Sequence, residues 1–175
     1  MSYSAVRTHY GHFDLTLSTA ALAIAAASFV VLAGAWAFEW AGYQPCPLCL
    51  EERVPYYAAI LGGLAAAFLA RSAPKVAMLI LAALTLAFVY DAGLSTYHAG
   101  AEWHFWPGPD TCTGGDLLAP KSLSQALRHN TPVRCDEAAL RIFGISLAGY
   151  NVLLSAALAA LGGVALLKQR RPESL

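Results

Sequence analysis

Four cysteines carry most of the reactive chemistry available to this sequence. Cys46-Pro47-Leu48-Cys49 is a C-x-x-C, while Cys112 and Cys135 stand farther along and far from each other in sequence. A bridge between Cys46 and Cys49 would close so small a loop that it constrains the unfolded chain little, so a purely structural staple gains little there. Close spacing does suit dithiol exchange, because either thiolate attacks a mixed disulfide formed by the other. A helix is expected to begin just beyond the pair, and its free N–H groups, with Arg53 one turn past Cys49, favour thiolate over thiol. Zinc competes as a reading, since four thiolates hold it tetrahedrally. Only one of the two pairs has the short spacing, however, and oxidation would compete with the metal, so no metal is expected. Covalent haem needs histidine directly after the second cysteine, and Leu50 stands there. His98 and Glu102, four residues apart, are suited to metal binding or proton donation if helical; the preferred reading places them solvated or hydrogen-bonded at a membrane interface. Asp91 is an acid inside an apolar run, which marks it as functional, although snorkelling or local pairing near the run's end explains it comparably.

The elements that must position these groups are apolar blocks. Apolar residues make up 58% of the chain and charged ones 13%, against roughly 25% charged in soluble domains. Residues 15–38, 54–70 and 142–167 carry no charge, and 76–97 carries Asp91 alone. About 20 apolar residues cross a roughly 30 Å hydrocarbon layer, so three blocks are long enough and 54–70 is at the short limit. The blocks are apolar all round, without the charged stripe of a soluble bundle helix. The expectation is an all-α membrane protein, a single integral domain over 1–175 with four transmembrane helices at those positions. Gly62-Gly63 and Gly162-Gly163 suit close helix approach, and Pro55 suits a helix start. The 15–38 run exceeds the 7–15 residues of a signal core, so a retained helix is expected. Eleven Lys+Arg balance eleven Asp+Glu, which argues against nucleic acid as a partner.

Four crossings place both termini on one side, with Arg7, Arg71, Lys75, Lys168, Arg170 and Arg171 in short segments there. The positive-inside rule makes that side cytoplasmic. The loops 39–53 and 98–141, which hold all four cysteines, then face the opposite, oxidising side, where an even cysteine count suggests disulfides. Tyr97, Trp103, Phe105 and Trp106 read as an interfacial aromatic belt. Ser122-Leu123-Ser124-Gln125 fits a capping box, and the short helix it would open lies flat on the membrane or stands solvated, two readings that stay open.

Gln44-Pro45-Cys46-Pro47-Leu48-Cys49-Leu50-Glu51-Glu52-Arg53, then Tyr97-His98-Ala99-Gly100-Ala101-Glu102, then Trp106-Pro107-Gly108-Pro109 before Cys112, and Cys135-Asp136-Glu137 before Gly144-Ile145-Ser146 resemble the DsbB family of bacterial disulfide bond formation proteins. The second-loop pattern is similar to an alphaproteobacterial subgroup. The resemblance implies an inner-membrane thiol:quinone oxidoreductase that reoxidises a periplasmic DsbA-type dithiol oxidase and so sustains disulfide formation during protein folding. It implies that Cys112 is attacked by reduced DsbA, that Cys135 is its partner and exchanges with Cys46, and that Cys49 lies nearest the quinone. Arg53 would support quinone binding and thiolate charge. The acceptor is ubiquinone or menaquinone. No role for His98 or Glu102 follows from the resemblance.

Other classes stay in view. The donor is either a general DsbA or a dedicated relative, as in the DsbI branch. An enzyme of the vitamin K epoxide reductase type also joins a four-helix core to a C-x-x-C and quinone, but with the motif at a different place in the helix order. A structural or zinc-bound membrane protein would not cycle between dithiol and disulfide.

Overall fold

The computed structural model describes residues 16–109, 112 and 134–170. Their elements, in chain order, are α1 (Leu17–Trp40), α2 (Pro47–Glu51), α3 (Val54–Leu69), α4 (Pro74–Glu102), a hairpin of β1 (Arg141–Ile142) and β2 (Ile145–Ser146), and α5 (Leu147–Arg170). Ala- and Leu-rich composition favours helix throughout, and local signals set the starts. Thr16 and Thr19 form a reciprocal cap at the head of α1, and prolines occupy the first turns of α3 and α4, where a missing N–H costs nothing.

α1, α4 and α5 are long and apolar enough to cross a membrane. α3 has 16 residues, about 24 Å at 1.5 Å per residue. It packs between α1 and α4, and α5 closes the ring against α4 and α1. The core holds Ala20, Ala21 and Ile24 from α1, Tyr56 and Ala59 from α3, Leu81 and Phe88 from α4, and Leu158 and Ala165 from α5. Small residues let the backbones approach. At Gly63 an added Cβ would stand 2.7 Å from the Ala21 carbonyl oxygen. Gly62 and Gly162 also sit at close contacts, whereas Gly163 faces open space. Leu61, Phe68, Leu79 and Leu86 point outward, 68–83% exposed.

Two helix boundaries and one loop differ from the sequence expectation. The third long helix ends at Glu102 instead of residue 97, so the following loop begins five residues later and His98 and Glu102 lie inside the helix. The last helix begins at Leu147 instead of residue 142. Ile142 to Ser146 are apolar enough to extend it, yet Phe143 and Gly144 both take positive φ, 49° and 83°. That pair turns the chain into a two-residue hairpin with Ile142 opposite Ile145, a small β element in a chain expected to be all-α. The loop 39–53 also contains the short helix α2. The segment 122–127, read as a short helix, lies outside the described residues.

The aromatic residues after α4 do more than line an interface. Trp106 lies on the Gly100 face of the helix, donates its indole N–H to the Tyr97 carbonyl at 2.8 Å and stacks on the Tyr97 ring. Arg141 covers Trp103 at 4.7 Å from the ring centroid and donates to the Glu102 carbonyl. These contacts fold the chain back over the end of α4 and toward Cys112, whose N–H donates to the Pro109 carbonyl at 2.8 Å.

Candidate redox site

The N-cap of α2 is Cys46 itself: its Sγ accepts from the Cys49 N–H at 3.2 Å. One turn of helix therefore brings the two sulfurs to 3.0 Å from each other. Cys112 and Cys135 are joined in a disulfide, with Cα atoms 5.4 Å apart, while Cys46 and Cys49 are free thiols. The Cys46, Cys112 and Cys135 sulfurs all lie within 4.8 Å of one another. All three residues are buried, and Leu48 and Leu94 complete their apolar surroundings. The two cysteine pairs, far apart in sequence, thus meet at one end of the bundle.

The two thiols of the C-x-x-C are unlike. The hydrogen bond from the Cys49 thiol, helped by the Cys49 backbone N–H, holds the Cys46 thiol below its usual range, against burial and the nearby Glu52 carboxylate. Cys49 is pushed up, first because it donates to the Cys46 sulfur and then by burial and by the charge on Cys46. Of the two, Cys46 is the readier to give up its proton and Cys49 the readier to keep it.

Behind Cys46 stands His98, 2% exposed. Its Nε2 lies 3.5 Å from the Cys46 sulfur and its Nδ1 2.8 Å from Glu52 Oε1. Glu102 Oε1 is 3.8 Å from Nε2. The expectation that His98 and Glu102 are solvated or interfacial is corrected here: both are buried, because α4 continues through them and turns them inward. Cys46, Cys49 and His98 also form a cluster with ligand atoms within 4.8 Å; among the described residues three donors converge there, a set whose chemistry suits a soft divalent metal.

A polar chain continues into the bundle. Asn151 Nδ2 lies 3.3 Å from Glu52 Oε2, 3.2 Å from Asp91 Oδ2 and 2.6 Å from Ser95 Oγ. Its Oδ1 accepts from the Tyr56 hydroxyl at 2.5 Å, and Ser155 donates to Asp91 at 2.5 Å. Asp91 is therefore fully buried and locally paired, without snorkelling. Buried polar groups are satisfied by such networks, although Asp91 Oδ1 and Glu102 Oε2 find no hydrogen-bond partner among the described residues.

On the other side of the C-x-x-C opens a cavity of about 510 Å³. Val30, Val31, Phe38 and Leu154 give it apolar walls, and its polar lining includes Gln44, Cys49, Glu52, Arg53, Tyr56 and Asn151; Cys46 is not part of it. Arg53 pairs with Glu39 from the last turn of α1. Apolar walls with a few convergent polar groups are the usual form of a small-molecule site.

The five residues singled out from sequence, Cys46, Cys49, Arg53, Cys112 and Cys135, converge on this end of the bundle. His98, Glu52 and Asn151 were assigned no role. A signal for part of this set is present: Asp91, Ser95, His98 and Glu102 recur at helical spacing and share one face of α4.

Residues 18–165 match the family described as "Disulfide bond formation protein DsbB". The uncharacterized protein RP370 of Rickettsia prowazekii (strain Madrid E) is 31% identical over 134 residues, covering 73% of this chain and 75% of that protein. This relative fits the alphaproteobacterial-like subgroup. No solved structure matches the chain. A family match over the whole bundle, together with the two cysteine pairs it gathers, identifies the chain as a member of the DsbB family of membrane disulfide oxidoreductases.

Proposed function

We propose that this protein is an inner-membrane thiol:quinone oxidoreductase that reoxidises a periplasmic DsbA-type dithiol oxidase. Reduced donor attacks Cys112; Cys135 is released and exchanges with Cys46; the electron pair arrives on Cys46 and Cys49 and leaves to a quinone in the apolar cavity. Each exchange forms one S–S bond as it breaks another, and the final step forms the Cys46–Cys49 bond while the quinone gains two electrons and two protons. The observation that carries this reading is the division of the C-x-x-C. Cys46 lies within 4.8 Å of both outer sulfurs, and Cys49 lines the cavity. Arg53, also in the lining, is assigned to the quinone's carbonyl end, where a guanidinium donates hydrogen bonds.

α3 is read as the fourth crossing. His98 near the end of α4 contacts Glu52 just before α3, and only residues 70–73 join the two helices. They therefore run antiparallel, and the joining turn lies at the far end of the bundle. The 24 Å span is short of the hydrocarbon layer by an amount that local thinning accommodates. Termini in the cytoplasm and cysteine loops in the periplasm complete the topology.

The test is anaerobic mixing of purified protein with reduced DsbA and a ubiquinone analogue while quinone absorbance is followed. Donor-dependent quinol formation, lost in Cys112→Ser, is expected. Quinone that stays oxidised in the wild-type reaction would refute the assignment.

A further inference from the structure

Oxidising the Cys46–Cys49 dithiol releases two protons, and a quinone takes up two. Cys49 lines the cavity and delivers its proton there directly, but Cys46 faces the other way and is 3% exposed. A proton leaving Cys46 needs a way around the C-x-x-C.

We propose that His98 and Glu52 form a buried proton relay that carries the proton shed by Cys46 to the acceptor in the cavity, without passage through the outer solution. The proposal rests on the quinone reading above and extends it to two residues with no assigned role. His98 Nε2 is 3.5 Å from the Cys46 sulfur and Nδ1 2.8 Å from Glu52 Oε1. An imidazole in this position takes a proton at one nitrogen and gives one from the other. Glu52, 6% exposed, also lines the cavity, so its carboxyl faces both the giver and the receiver. Asn151 is a positioning residue: it sits 3.3 Å from Glu52 Oε2 and is itself fixed by Asp91, Ser95 and Tyr56. Glu102, the other acid at Nε2, is farther at 3.8 Å and does not line the cavity, so it offers the proton no exit.

The step balances. The Cys46 proton passes to Nε2, the Nδ1 proton passes to Glu52, and Glu52 protonates one quinone oxygen. The Cys49 proton goes to the other, the two thiol electron pairs leave one S–S bond, and two electrons reside on the quinol. The low thiol range of Cys46 is consistent with ready release of that proton.

The test is a single turnover: prereduced protein is mixed anaerobically with a ubiquinone analogue, in H2O and in D2O, for wild type, Glu52→Gln, Glu52→Asp and His98→Gln. Removing a positioned acid–base group costs typically 10²–10⁴-fold. Glu52→Gln and His98→Gln are expected to be about 100-fold slow, with an enlarged solvent isotope effect in Glu52→Gln. Azide, a small diffusible weak acid, should restore most of the Glu52→Gln rate, and Glu52→Asp should retain most of it. Quinone reduction at wild-type rate in Glu52→Gln would overturn the relay alone. So would a slow Glu52→Gln that azide leaves slow and whose isotope effect is unchanged, since that marks a structural role. Wild-type protein that reduces no quinone would overturn both the relay and the reading beneath it.

Discussion

Replacing Cys49 separates the two tasks that the C-x-x-C performs. In Cys49→Ser and Cys49→Ala no second sulfur remains to close the inner disulfide, so donor-driven quinone reduction falls to background in both. The variants differ in what they leave to Cys46. The Cys49 thiol lies 3.0 Å from the Cys46 sulfur, and it is the largest influence favouring the Cys46 thiolate. A hydrogen bond to a charged group is worth about 1.5–3 kcal/mol, and each 1.4 kcal/mol is tenfold in an equilibrium. Sulfur partners fall at the low end, so losing the donor in Cys49→Ala removes about tenfold of the thiolate present at neutral pH. A serine hydroxyl still donates, so Cys49→Ser keeps Cys46 within a few-fold of wild type. The assay is alkylation of Cys46 by a small uncharged reagent, followed by peptide mass spectrometry across pH. The sign is fixed by the lowered thiol: wild-type Cys46 continues to react as pH falls below the ordinary thiol range, and Cys49→Ala loses that low-pH reactivity first. Equal Cys46 alkylation in the two variants, or quinone turnover surviving in either, would refute the reasoning.

Other outcomes follow from the same geometry. Cys112→Ser should form no mixed disulfide with the donor, whereas Cys46→Ser should still trap it while reducing no quinone; non-reducing electrophoresis distinguishes them. Arg53→Ala removes a polar group from the cavity lining and should raise the quinone concentration needed for half-maximal rate about tenfold, the effect of one charged hydrogen bond at about 1.5 kcal/mol; steady-state kinetics with varied quinone measures it. Gly63→Ala places a Cβ 2.7 Å from the Ala21 carbonyl oxygen, and the resulting overpacking of α1 on α3 should destabilise the bundle by about 1–3 kcal/mol. Thermal unfolding in detergent, with Gly163→Ala as the unhindered comparison, is the check.

The cysteine placement, Arg53 and the three long helices were legible because their signals are local: an uncharged run is visible in the sequence, and so is a C-x-x-C ahead of a helix. The hairpin at 142–146 was hidden because its residues are as apolar as the helix that follows, and only the positive φ values of Phe143 and Gly144 reveal the turn. His98 and Glu102 were placed outside the helix for the opposite reason: their polarity suggested an end to the apolar run, whereas polar residues 91, 95, 98 and 102 at helical spacing were the buried face of a longer α4. What made that face buried lies on other elements, Glu52 ahead of α3 and Asn151 on α5, and a one-dimensional reading of α4 does not contain those partners. The cavity likewise arises from α1, α2 and α5 together, so no single motif announces it.

The central claim, that the inner pair is the one that meets the quinone, is tested most directly with the Cys112→Ser/Cys135→Ser double variant. Its Cys46–Cys49 pair is reduced chemically, freed of reductant and mixed anaerobically with excess ubiquinone analogue. One quinol per protein, with simultaneous loss of both thiols, is the predicted result, even though this variant cannot turn over with reduced DsbA. Two thiols that persist beside unreduced quinone would contradict it.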